Sequence, residues 1–207
     1  MTIGEWVSLF AEQFRETGVL QWIAVSFGVA EVLLARANKV LLYPAGIIAT
    51  VLSAFLLYEA GLFAEAGLNL YYFVMSIYGW AHWVRRKNQA PVAVSGADQS
   101  DWLITFLISI GGCGVLYLVL RYFTSSDVPF RDAVVTSTAW AGMWLLAKRK
   151  VENWILLNIS NALAVPLLIH KKMPLFAALT VFLFIVACFG FVEWKKILRT
   201  QKAAVRA

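Results

Sequence analysis

The sequence predicts an all-α membrane protein in which seven transmembrane helices form two parallel three-helix repeats joined by one linker helix. Three observations carry this reading. Of the 207 residues, 61% are hydrophobic and only 14% are charged, whereas soluble domains run near roughly 45–50% and 25%. The charges fall between uncharged runs that, with their flanks, are long enough to cross a bilayer, which takes roughly 20 residues. The first part of the chain also resembles the last in its turns and aromatic residues. No stretch alternates apolar and polar residues with period two, as a membrane barrel requires.

Residues 1–18 carry Ile3, Trp6, Val7, Phe10 and Phe14 at helical spacing, with Glu5, Glu12 and Gln13 between them. This is the pattern of an amphipathic helix lying in the membrane interface. No basic region followed by an apolar core and a small-residue cleavage site precedes it, so no signal peptide is expected. The uncharged runs are Thr17–Ala30, Val40–Tyr58, Ala66–Ala81, Trp102–Leu120, Ala133–Ala147, Asn153–Ile169 and Met173–Val192. They divide the chain into a first bundle (19–84), a cytoplasmic loop (85–101), a linker helix (102–123), a second bundle (130–198) and a basic cytoplasmic tail (199–207). Only the stretch from Asn88 to Ser100, with Pro91, Ser95, Gly96 and Asp98, reads as a flexible linker.

Orientation follows from Lys and Arg. One side holds thirteen: Arg36, Lys39, Arg85, Arg86, Lys87, Lys148, Arg149, Lys150, Lys195, Lys196, Arg199, Lys202 and Arg206. The other holds five: Arg15, Arg121, Arg131, Lys171 and Lys172. The C-terminus is therefore expected in the cytoplasm and the N-terminus outside. The net charge of +6 sits in these flanking clusters and reads as membrane orientation, so no nucleic-acid partner is expected.

The repeat pairs Leu33-Leu34-Ala35-Arg36 with Leu145-Leu146-Ala147-Lys148, an offset of 112, and Gly79 to Trp83 with Gly190 to Trp194, an offset of 111. The helix around Trp102–Tyr122 has no counterpart. One linker helix leaves both halves in the same orientation, and two such bundles enclose a cavity whose ends can open alternately.

The chemistry expected of the spans is binding rather than catalysis. Cys113 and Cys188 lie in apolar runs, and His82 and His170 end separate ones, so neither a metal site nor a cofactor is expected. Glu31 and Glu193 read as interfacial, which leaves no mid-span carboxylate for proton coupling. There is no phosphate-binding loop, no mid-span Lys to hold retinal and no buried nucleophile–base pair, so no catalytic residue is assigned. The sixth span places Trp154, Asn158 and Asn161 on one helical face. An indole and two amides suit a flat, polar ring; belt placement of Trp154 and interhelical bonding by the two Asn stand as the structural alternative. The third span offers Asn69, Tyr72 and Ser76, with Trp80 and Trp83 read as an aromatic belt. In the second span, Thr50 and Ser53 read as backbone-bonding hydroxyls. Gly111, Gly112 and Gly114 permit close helix contact and hence a homo-oligomer.

From Asn38, Tyr43-Pro44-Ala45-Gly46-Ile47-Ile48, Gly61-Leu62-Phe63-Ala64-Glu65, Tyr78-Gly79-Trp80 and Glu152-Asn153-Trp154, the chain over residues 18–198 resembles the PnuC family of bacterial vitamin transporters. The family's sixth-span pattern is similar to W-x-x-W-x-x-x-N/D; here it reads Trp154, Leu157 and Asn161, and Asn69 stands where a Gln is expected. The resemblance implies a fold like that of the SWEET sugar transporters and a place in the bacterial inner membrane. It further implies facilitated diffusion of an unphosphorylated vitamin, foremost nicotinamide riboside, trapped by a cytoplasmic vitamin kinase. Thiamine and riboflavin are the alternatives within the family. A sugar carrier and a non-transporting scaffold are the rivals outside it.

Overall fold

A computed structural model describes residues 2–60, 63–84 and 93–206. Among these residues all extended elements are helices: α1 (Ile3–Glu16), α2 (Val19–Arg36), α3 (Leu42–Glu59), α4 (Phe63–Val84), α5 (Gln99–Phe123), α6 (Pro129–Ala147), α7 (Asn153–His170) and α8 (Pro174–Arg206). Five of them, α2, α3, α5, α7 and α8, are long and apolar enough to cross a membrane. In hydrocarbon every backbone polar group must bond within its own segment, which a helix achieves unaided.

Helix α1 starts on a capping box. The Thr2 hydroxyl accepts from the Glu5 N–H, and the Glu5 carboxylate accepts from the Thr2 N–H. Its apolar residues Ile3, Val7 and Phe14 remain exposed. The helix is pinned at its far end by Gln13, whose Nε2 donates to the Lys172 carbonyl at 2.7 Å and whose Oε1 accepts from the Leu175 N–H. The amphipathic segment is thus tied to the turn between α7 and α8.

Helices α2, α3 and α4 pack in sequence, as do α6, α7 and α8. The two sets meet where α2 lies on α8 and α4 lies on α6, and α5 packs chiefly on α6. Element boundaries recur at a constant offset. Helix α3 begins at Leu42 and ends at Glu59, and α7 begins at Asn153 and ends at His170, each 111 later. The turns show why. After α2, the Asn38 N–H bonds to the Ala35 carbonyl and the Lys39 N–H to the Leu34 carbonyl; after α6, the Arg149 N–H bonds to Leu146 and the Lys150 N–H to Leu145. Both are Schellman ends with a left-handed residue, Asn38 at φ 54° and Arg149 at φ 59°. The structural register is therefore 111 here as well, one residue from the 112 that the Leu-Leu-Ala match suggested. The Leu-Leu-Ala strings favour 112 by identity alone, but the turn hydrogen bonds fix 111.

Four sequence expectations change. Residues 93–98 are held rather than flexible: Ser95 exchanges backbone hydrogen bonds with Arg149 and Val151, and Val94 is buried. The Glu152 carboxylate accepts from the Ala97 N–H at 2.8 Å. Asp101, also buried, pairs with Lys150 at 2.8 Å, and its helix begins at Gln99, earlier than expected. The tail from residue 199 continues α8 as helix instead of forming a separate segment. Trp83 is not a belt residue: it is buried, and its Nε1 donates to the Ala147 carbonyl at 3.2 Å. Arg85, Arg86, Lys87, Pro91 and the Gly61-Leu62 pair lie outside the described residues.

Lys172 also occupies a left-handed position, at φ 56°, in the third Schellman turn, where Lys172 and Met173 bond back to Ile169 and Leu168. An L-residue pays roughly 1–2 kcal/mol for that conformation, part of which Gly returns as backbone entropy. We expect Lys172→Gly to stabilise the protein by about 0.5–1 kcal/mol, read as a raised thermal unfolding midpoint, and Lys172→Val to lower it.

Candidate functional site

The site is built on four close helix approaches, each made where a large side chain meets a bare glycine. On α3, Tyr43 lies against Gly79 of α4; on α7, Trp154 lies against Gly190 of α8. These pairs are related by the 111 offset. The other two exchange partners between the halves. Glu31 of α2 lies over Gly46 of α3, whereas Gly142 of α6 receives Leu157 of α7. The large residue of one half thus stands where the other half has glycine.

Between the halves lies a cavity of about 290 Å³, near the lower end of small-molecule pockets (roughly 300–1,000 Å³). Its first wall is mixed: Glu31, Thr50, Ser53, Asn69 and Tyr72 stand among Val32, Ala35 and Ala49, all from α2, α3 and α4. Its second wall is apolar: Ala139, Met143 and Leu146 from α6, Leu157 from α7, with Trp154 at the margin.

One end of this cavity is closed by bonds that join the two halves. The Arg36 guanidinium donates to the Glu193 carboxylate at 2.6 Å. Arg149 Nε donates to the Asn38 side-chain oxygen at 2.9 Å and its guanidinium lies 4.2 Å from the Trp83 ring centre. Trp194 Nε1 donates to the Ala35 carbonyl at 3.0 Å, the counterpart of the Trp83 bond to Ala147. Burial of Arg149, outside the helices, lowers its pKa from the usual guanidinium range. Further along the same contact, the Tyr71 ring stacks on Trp140 at 4.4 Å and its hydroxyl donates to the Trp140 carbonyl.

Of the six residues singled out from the sequence, Asn69, Tyr72 and Trp154 meet at this cavity. Asn158 and Asn161 are not among its lining residues. Asn158 lines a separate groove between α7 and α8, where its amide donates to Cys188 Sγ at 3.6 Å. Ser76 is wholly buried and its hydroxyl has no hydrogen-bond partner. Trp154 is itself inaccessible to solvent: Gly190 lies against its ring, and Trp194 meets it edge-on at 5.7 Å. Both covering groups are on α8, so a ligand can stack on that indole only after α8 shifts away from α7.

Glu31, Thr50 and Ser53 were misplaced by sequence reasoning. Glu31 was read as interfacial because Arg36 follows closely, yet the helical period sets the two about 140° apart around the axis. Arg36 turns to α8 and Glu31 turns inward. Thr50 and Ser53, read as backbone-bonding, face the cavity. The available signal was Gly46, whose missing side chain makes the room Glu31 occupies. Glu193, the other carboxylate read as interfacial, bridges the halves.

Three comparisons bear on this geometry. The sequence profile of the family described as "Nicotinamide mononucleotide transporter" matches residues 18–196. The chain is similar to the nicotinamide riboside transporter PnuC of Escherichia coli, 26% identical over 175 residues that cover 70% of this chain and 73% of that one. It is similar to the nicotinamide riboside transporter PnuC of Neisseria mucosa, 24% identical over 202 residues that cover 90% and 75%. The crystal structure of the vitamin B3 transporter PnuC superposes with a TM-score of 0.70 at 22% identity, covering 97% of this chain and 94% of that one, which establishes the shared fold.

The burial of Trp154 sets a stability test. Trp154→Ala removes a fully enclosed indole from between α7 and α8, and we expect a loss of about 3–5 kcal/mol, read as a lowered unfolding midpoint in detergent. Asn161→Ala, at a half-buried position, should lower it far less.

Proposed function

The chain belongs to the nicotinamide mononucleotide transporter family, a family of multi-pass bacterial membrane transporters rather than enzymes, and we propose that it carries nicotinamide riboside into the cell by facilitated diffusion. The observation that carries this reading is the cavity between two similar helix sets, with its hydroxyl, amide and carboxyl groups all on one wall and the other wall apolar apart from the Trp154 indole. A heteroaromatic ring with a sugar has the same division: its ring faces suit Met143, Leu146 and Leu157, and its hydroxyls and carboxamide suit Thr50, Ser53, Asn69 and Tyr72.

In this reading α2–α4 and α6–α8 are the two parallel bundles, α5 is the linker, and all seven helices cross the inner membrane. Helix α1 lies on the outer surface, with the N-terminus outside and the C-terminus in the cytoplasm. The Arg36–Glu193, Trp83–Ala147 and Trp194–Ala35 bonds form the cytoplasmic closure. Rocking of one bundle on the other breaks them, and Trp154 meets the substrate only if α8, which covers its ring, shifts as well. Asn158 and Asn161 join the site only if that motion turns α7 inward. A cytoplasmic vitamin kinase keeps the product inside by adding a phosphate group, so that no ion gradient is needed. The exposed glycines Gly111 and Gly114 on α5, against which none of the described residues packs, suit contact with a second copy.

Two measurements test this. Proteoliposomes holding the purified protein should equilibrate nicotinamide riboside without any gradient; accumulation above the outside concentration only under an imposed gradient would contradict facilitated diffusion. In a binding panel of nicotinamide riboside, thiamine and riboflavin, Asn69→Ala should weaken the preferred vitamin by about tenfold, the cost of one buried hydrogen bond. Asn161→Ala should change it by less than about threefold. The reverse order would move the site from the cavity to the α7 face.

A further inference from the structure

The cavity holds a carboxylate with no cation beside it. Glu31 projects between α2 and α3 because α3 has glycine at the point of contact: a Cβ on Gly46 would come within 2.5 Å of Glu31 Oε1. None of the ion pairs among the described residues includes Glu31. Arg36, on the same helix, is taken by Glu193, and Arg149, in the turn after α6, lies on Trp83 and Asn38. The opposite half provides no second charge, since the position equivalent to Glu31 is Gly142 and the side chain in that gap is Leu157. One acid therefore lines a cavity that it shares with Val32, Ala35, Ala49, Ala139, Met143 and Leu146.

An unpaired charge among apolar groups is costly, and intramembrane acids mark ligand or ion paths. A ligand with a fixed positive charge offsets that cost; a neutral ligand of the same shape does not. Asn69 and Tyr72 on the same wall supply hydrogen bonds but no charge. We propose that Glu31 is the counter-charge of the ligand site, so that the cavity selects flat heteroaromatic rings carrying a delocalised positive charge. The proposal rests on the reading of this cavity as the substrate site, and it deepens that reading: it makes an N-substituted pyridinium the preferred substrate over its neutral dihydropyridine.

The experiment is calorimetric titration of the purified full chain and its Glu31→Gln and Glu31→Asp variants. The probes are nicotinamide riboside, its neutral dihydro form, thiamine as a second fixed cation and riboflavin as a neutral ring. The wild type should bind nicotinamide riboside at least about tenfold tighter than the dihydro form. Glu31→Gln should weaken the cation alone and bring the two within about threefold, while Glu31→Asp keeps the preference. Loss of both forms alike in Glu31→Gln, or unchanged binding of the cation, overturns the proposal. Should the Gln variant fail to fold, the wild-type ratio decides, since a neutral form bound as tightly as the cation ends the idea. If the wild type ignores both nicotinamide forms but binds thiamine, and Glu31→Gln weakens thiamine, the choice of vitamin falls while the counter-charge stands. Preference for riboflavin overturns both.

Discussion

The arrangement rests on large side chains seated against bare glycines. In a bilayer, helices gain nothing from hiding apolar surface from other apolar surface, so association depends on close contact. Tyr43 on Gly79, Trp154 on Gly190, Glu31 on Gly46 and Leu157 on Gly142 are the points where that contact is made. Each removes a Cβ from one helix and lets a ring, carboxyl or isobutyl group from its neighbour occupy the space. The contacts join α2 to α3, α3 to α4, α6 to α7 and α7 to α8, and so define the two sets of three.

The repeat makes the halves alike in backbone and unlike in chemistry. Tyr43 and Trp154 are equivalent, as are Trp83 and Trp194, and each of the last two donates to a carbonyl at the end of a helix in the other half. At the next layer the equivalence breaks. Thr50 lines the cavity, whereas its counterpart Asn161 does not; Glu31 has Gly142 as its counterpart. Two copies of one scaffold thereby enclose a space whose hydroxyl, amide and carboxyl groups come from one copy alone, which a symmetric pair could not do. Closure at one end uses groups from both copies, so relative motion of the halves must break the Arg36–Glu193 pair and both indole hydrogen bonds together.

Much of this was legible in the chain. Helix positions followed from the absence of charge over long runs, because an uncompensated ion in hydrocarbon is costly. The amphipathic start followed from the spacing of Ile3, Val7, Phe10 and Phe14, and the kinship of the halves from Gly79 to Trp83 against Gly190 to Trp194. Asn69, Tyr72 and Trp154, which line the cavity, stand out in the sequence because polar and aromatic residues at helical spacing mark a face. Asn158 and Asn161, read from the same kind of stripe, lie outside the cavity lining. A stripe states which residues share a side of a helix, but it does not say whether that side meets a cavity, another helix or lipid.

What the sequence determined by itself is the class, the helices, the repeat and the family, because each depends on local pattern: hydrophobic length, period and short motifs. What only the tertiary structure decided is which polar groups share one space. Glu31 stands in the cavity because of Gly46, on another helix. Trp154 is enclosed because Gly190 lets α8 close over it. Residues 93–98 are ordered because Ser95 meets the turn at Arg149 and Val151. Each of these depends on a contact between residues far apart in the chain, set by helix packing, which no local pattern encodes.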